Sequence, residues 1–257
     1  MSKQDYKTTM GGAENVFQTT CWIDIRKART SDEAQRKAII GNLLGKYWRP
    51  VYCYLRHKGY DNERAKDLTQ GFFHEVVLDH ELIQKADKTR GRFRTFLLTA
   101  LGHYVSNVYR NETTKKRAPK EELVHFNEFD ECDRPNISTT ATAEEVFHYT
   151  WASNLLDEAI AKVKNEYCSG SKEIHWKVFE EKVLAPILTN AHSPLLTDIC
   201  SKYGIDSTSK VSNMILTVKR RLGTVIKQRL RQFVQSEPEV EDEFNELMKI
   251  LSKSNAR

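Results

Sequence analysis

The chain has 257 residues, 39% apolar and 29% charged, with a net charge of +5, the balance of one or two soluble domains. Its cysteines (Cys21, Cys53, Cys132, Cys168, Cys200) are odd in number and form no CxxC pair, which argues against a disulfide framework or zinc ribbon and for a reducing cytoplasm. No apolar h-region opens the sequence and no window approaches about eighteen uninterrupted apolar residues, so neither secretion nor membrane insertion is expected.

Residues 1–16 are polar and are expected to be disordered. Ser31-Asp32-Glu33 predicts the start of a helix reaching Trp48. Pro50 should interrupt or kink it, and Val51 to His57 resumes the pattern. Gly59-Tyr60-Asp61-Asn62 reads as a turn, with Asp61 or Asn62 capping the next helix. That helix carries Ala65, Leu68, Phe72, Val76 and Val77 at spacings of three and four, an apolar stripe. Asp67, Gln70 and Glu75 fall off the stripe, with Phe73 at its rim. Residues 86–91 predict a loop, and a long helix from about Phe93 to Arg110 turns Phe96, Leu97, Ala100, Leu101, Tyr104 and Val108 inward. Residues 119–142 hold Pro119, Pro135 and a Ser/Thr run, and read as a linker. A second helical region, 143–235, carries Trp151, Leu155, Leu156, Ala159 and Val163, then Trp176, Phe179, Val183 and Leu188. Leu195 to Tyr203 predicts a short helix, Gly204-Ile205-Asp206-Ser207 a tight turn, and Thr208 or Ser209 the start of a helix to about Phe233. That is a helix-turn-helix pattern. Residues 236–257 read as an acidic C-terminal tail. Strand signals are weak throughout, so the expected class is all-α: two helical domains joined by a flexible linker.

Charge is sharply local. Between Arg92 and Lys120 the bases Arg92, Arg94, Arg110, Lys115, Lys116, Arg117 and Lys120 meet the single acid Glu112. Between Ser207 and Gln235 there are only bases, and Glu237, Glu239, Glu241, Asp242, Glu243 and Glu246 follow directly. Such blocks are either solvated helix faces or phosphate-contacting faces. In the predicted helix-turn-helix, Val211, Met214, Ile215, Val218 and Leu222 form an apolar face. Lys210, Ser212, Asn213 and Thr217 lie on another that could meet base edges, with Lys219, Arg220 and Arg221 placed for phosphates. In the first block, Arg92, Phe93, Arg94 and Phe96 combine arginines for a backbone with aromatics that either anchor a core or stack on unpaired bases. His103, Tyr104, Asn107 and Tyr109 extend that surface.

No glycine-rich phosphate loop, HExxH or nucleophile elbow is present, the histidines are scattered, and no carboxylate cluster suggests acid/base chemistry. No enzyme activity, cofactor or metal is therefore expected. Two alternatives stand beside a factor that directs a larger machine to a DNA site: a stand-alone helix-turn-helix regulator and a helical nucleic-acid enzyme.

The chain resembles the extracytoplasmic-function (ECF) group of bacterial RNA polymerase sigma-70 factors over residues 17–118 and 144–234. The resemblance lies in Phe17-Gln18-Thr19-Thr20-Cys21-Trp22, Tyr47-Trp48-Arg49-Pro50-Val51-Tyr52, Leu55-Arg56-His57-Lys58-Gly59 and Asp67-Leu68-Thr69-Gln70-Gly71-Phe72-Phe73. Gly91-Arg92-Phe93-Arg94-Thr95-Phe96-Leu97 and Lys115-Lys116-Arg117 continue a pattern similar to one long-chain subgroup. It implies a sigma-2-like domain over 17–118, a sigma-4-like domain over 143–235, and core RNA polymerase and promoter DNA as partners. By that resemblance Asp67, Gln70, Phe73 and Glu75 dock on polymerase. Arg92, Arg94, His103, Asn107, Arg110, Lys115, Lys116 and Arg117 meet a melted −10 element. Lys210, Ser212, Asn213, Thr217, Lys219, Arg220 and Arg221 meet a duplex −35 element. Some members of the group are CRISPR-linked and held by a cleavable inhibitor, which implies an anti-sigma or other inhibitory partner. The sequence departs from the pattern at Gly71, where the family usually has Glu, and at Lys116-Arg117-Ala118-Pro119, in place of a glycine-rich basic run. It also departs in an insertion over 168–191, whose Trp176 and Phe179 suggest a regulator's docking surface.

Overall fold

A computed structural model describes residues 33–78, 93–115, 140–189, 191–231 and 237–254. Among them no strand occurs: the all-α expectation holds. The helices are α1 (Glu33–His57), α2 (Asn62–Gly71) with a π-helical continuation (Phe72–Leu78), α3 (Phe93–Lys115) and α4 (Ala143–Cys168). Then come α5 (Glu173–Phe179), a π-helical turn (Glu180–Leu184), α6 (Ala185–Thr189), α7 (Leu196–Tyr203), α8 (Thr208–Arg231) and α9 (Glu237–Ser254).

Local chemistry sets several boundaries. The Asp61 carboxylate accepts from the Arg64 backbone N–H at 2.7 Å and opens α2. Thr142 and Glu145 form a reciprocal capping box, with the Glu145 N–H donating to Thr142 Oγ1 at 3.2 Å and the Thr142 N–H to Glu145 Oε2 at 3.0 Å. Gly204 closes α7 with φ +63°, a left-handed conformation that glycine adopts without a Cβ clash. Pro50 neither ends nor divides α1, which is one continuous helix. Pro50 lacks an N–H to donate, but it lies buried beside Val51 to Leu55, whose burial outweighs the missing bond.

Most of the apolar faces converge on one main core. Tyr47, Val51 and Leu55 of α1 meet Phe147, Trp151 and Leu155 of α4, and these two helices make the most extensive contact in the described fold. Tyr47 is the joint: its ring lies edge-on to Phe93 at 5.6 Å and stacks on Phe147 at 6.4 Å. Phe72, Phe73, Leu97 and Leu101 extend the cluster to one side, and Trp176, Leu222, Ile226, Leu230, Val240 and Leu247 to the other. The two segments expected as separate domains thus share buried surface. Of the expected linker only residues 140–142 are described, and there Ala141 O lies 2.7 Å from His57 Nε2. In place of the expected acidic tail, residues 237–254 form a helix whose Val240, Glu243 and Leu247 are buried against α4 and α8.

Candidate nucleic-acid interface

Helices α7 and α8 form the predicted helix-turn-helix. Ile199, Ile205 and Val211 bury against Val178 beneath the turn, and Val218, Leu222, Val225 and Ile226 seat the rest of α8 in the main core. The burial is periodic because apolar residues recur every three or four positions. What remains outward is equally ordered: Ser209, Ser212, Asn213, Leu216, Thr217, Arg220 and Thr224 are all exposed along one side. Ser212, Asn213, Thr217 and Arg220 lie where the sequence puts them. Sequence reasoning misses Ser209, Leu216 and Thr224, although the same helical period includes them. Lys219 is exposed on the flank, and neither it nor Arg220 makes an ion pair among the described residues.

Two expected DNA contacts have other work. Lys210 is exposed but salt-bridged to Asp206, four residues earlier, and this partner holds the Asp206 carboxyl below its ordinary value. Arg221 points back into the protein. Its guanidinium donates to both oxygens of Glu166 on α4, at 2.7 Å and 2.8 Å, a bidentate strut between α4 and α8. Hydrogen bonding from Arg221 keeps the Glu166 carboxyl below its ordinary range.

The first basic block divides. Arg92, Lys116 and Arg117 lie outside the described residues, and only the backbone of Lys115 is described. His103, Asn107 and Arg110 occupy one exposed face of α3 at steps of four and three. Tyr109 is exposed as well, whereas Tyr104 is buried with Leu97 and Leu101. Arg94 is 4% exposed, and its guanidinium donates to Glu243 Oε2 at 2.6 Å while lying 4.4 Å from the Trp151 ring centre. As folded, Arg94 cannot touch a phosphate. Nothing in the local sequence signals this, because its partner stands 149 residues away.

Asp67, Gln70 and Glu75 are exposed on α2 and its π-helical continuation, but Phe73 is 3% exposed, stacked on Trp48 at 6.4 Å and packed edge-on to Phe72. Phe73 therefore supports this face from beneath. Gly71 lies between Asp67 and Glu75 on the same line of the helix. A Cβ there would collide with the Tyr104 hydroxyl, so the departure to glycine makes room for α3. Burial, and then the nearby Glu75 charge, raise the Tyr104 phenol above its ordinary value.

In the 168–191 insertion, Trp176 and Phe179 are 1% and 3% exposed, which removes them as a docking surface. Ile187 and Leu188 are the exposed apolar side chains there. Tyr203 donates to Glu181 at 2.7 Å; this bond, with burial, pushes its phenol up to about 12. Among the described residues no group of His, Cys, Asp and Glu could hold a metal, and no helix is long and apolar enough to cross a membrane. Comparison with known proteins finds no matching family model, no similar curated protein and no similar solved structure.

Proposed function

We propose that the chain is an RNA polymerase sigma factor of ECF type. It binds core polymerase, reads a duplex −35 element through α8, and offers α3 to an unpaired −10 element. It performs no chemistry. Unpairing the −10 region costs about 1.4 kcal/mol per base-pair step, which phosphate contacts and base stacking offset.

The observation that carries this reading is the exposed side of α8. One face of the helix is fully seated in apolar core, while the other presents serine, threonine, asparagine and arginine with no acid among them. Residues early in such a helix reach base edges, and later ones reach phosphates. The resemblance around Asp67 to Phe73, and the exposed His103, Asn107 and Arg110 face, add polymerase and the unpaired strand. A stand-alone regulator shares the α8 face, and it is favoured by one observation: α8 is open to duplex in the compact fold while Arg94 is not.

Selection of duplex DNA from a random pool tests the reading. Asn213→Ala should lose about 1–3 kcal/mol at one base pair and relax preference there, whereas Arg220→Ala should weaken every sequence alike. If both variants kept the parental preference and affinity, α8 would not be a reading helix.

A further inference from the structure

Leu216 is 42% exposed, whereas every other apolar side chain of α8 is buried or half-buried. A lone exposed leucine is ordinary on a protein surface, so the position of this one is what matters. Ser209, Asn213, Leu216 and Arg220 follow one another at steps of four, three and four residues, a single line down the exposed side of the helix. Leu216 is the apolar member of that otherwise polar line. The Asn213 amide, one turn before it, has no partner among the described residues. Thr217 beside it donates its hydroxyl to the Asn213 carbonyl at 2.7 Å. No acid lies on α8, and Lys219 and Arg220 follow Leu216 without an ion pair among the described residues, so the surroundings suit a polyanion.

Leucine has no donor and no acceptor. Set against a nitrogen or oxygen of a base edge, it would leave that group without water and without a partner. Base edges in the major groove carry one apolar group, the 5-methyl of thymine. We propose that Leu216 packs on the 5-methyl group of a thymine and is a specificity-determining residue for duplex DNA. The assignment rests on the reading of α8 as a base-reading helix. Asn213 and Leu216 stand about 4.5 Å apart along the helix axis. Stacked base pairs are about 3.4 Å apart. With α8 lying along the groove, the thymine belongs to the base pair that Asn213 meets or to its neighbour.

The probe is the duplex enriched from a random pool by the full chain with its host's core RNA polymerase, over polymerase alone. Deoxyuridine replaces each thymine in turn, which removes the methyl and leaves every hydrogen-bonding group in place. At one thymine the exchange should weaken wild-type binding about three- to fivefold, the contribution of one buried methyl group. Leu216→Ala should bind the two duplexes alike. That variant should fold as wild type, because the side chain is exposed and alanine favours a helix, and circular dichroism checks this. Asn213→Ala should relax preference at the same base pair or its neighbour while retaining the uracil effect. The uracil series on the wild-type chain needs no variant. No effect at any thymine, or no thymine in the enriched block, would overturn the assignment and leave α8 a reading helix. A Leu216→Ala chain that keeps the full uracil effect would overturn it too; if that chain also failed to co-purify with polymerase, Leu216 would meet a protein instead. If no sequence is enriched at all, the reading of α8 falls and the assignment with it.

Discussion

At the scale of single residues, Gly71 makes the sharpest case. Glycine inside a helix is ordinarily a liability, and replacement by alanine gains about 0.5–1 kcal/mol. Here the sign reverses, because a Cβ meets the Tyr104 hydroxyl. Gly71→Ala should destabilise the chain by about 1–3 kcal/mol in urea unfolding. Adding Tyr104→Phe, which removes the obstructing oxygen, should recover most of that loss; failure to recover would show that the hydroxyl is not the obstacle. Residue-level roles were legible where the cause is local. The Asp61 cap is written in its own turn, and the exposed position of Asn213 follows from its place in the helical period. Arg94, Arg221 and Phe73 were not legible, because what decides them is a partner on another helix. Glu243, Glu166 and Trp48 are distant in sequence, and each turns a nominally outward residue inward.

At the scale of elements, the strut between α4 and α8 makes a prediction about acid. Arg221 holds the folded Glu166 carboxyl below its ordinary value near 4.5. A depressed carboxyl contributes stability that is fully present above the ordinary value and is lost as pH falls through the folded one. Glu166→Gln should therefore be less stable than wild type at pH 7, and the two denaturation curves should converge in acid. Parallel curves down to pH 2 would show that the strut carries no proton linkage. The free flank of α8 makes a second prediction. Replacing Lys219 and Arg220 with Ala should flatten the salt dependence of duplex binding, measured as the slope of log affinity against log salt. The slope should fall by up to about 0.9 for each phosphate that is no longer neutralised. A slope equal to wild type would place the phosphate-binding cations elsewhere. The α7–α8 unit was readable because a glycine turn, helical period and charge segregation agree. The continuity of α1 through Pro50 was not, since a proline is a local break signal that burial overrides.

At the scale of the whole molecule, the main core of the described fold is built from two segments that the sequence separates by a polar stretch, with a smaller cluster beneath the α7–α8 turn. The all-α class was legible from periodicity alone. The seam was not: the residues that make it, Tyr47, Val51, Phe147 and Trp151, look like ordinary core positions of two independent bundles. The C-terminal acids likewise read only as an acidic tail, because the apolar stripe of Val240 and Leu247 is thin beside so much charge. As proposed, this molecule directs polymerase rather than acting alone on duplex DNA. The direct measurement is selection from a randomised duplex library with the chain, with its host's core RNA polymerase, and with the two together. Only the mixture should enrich two sequence blocks at a fixed separation and yield run-off transcript from them. Enrichment of one block by the chain alone, unchanged by polymerase and without transcript, would contradict it.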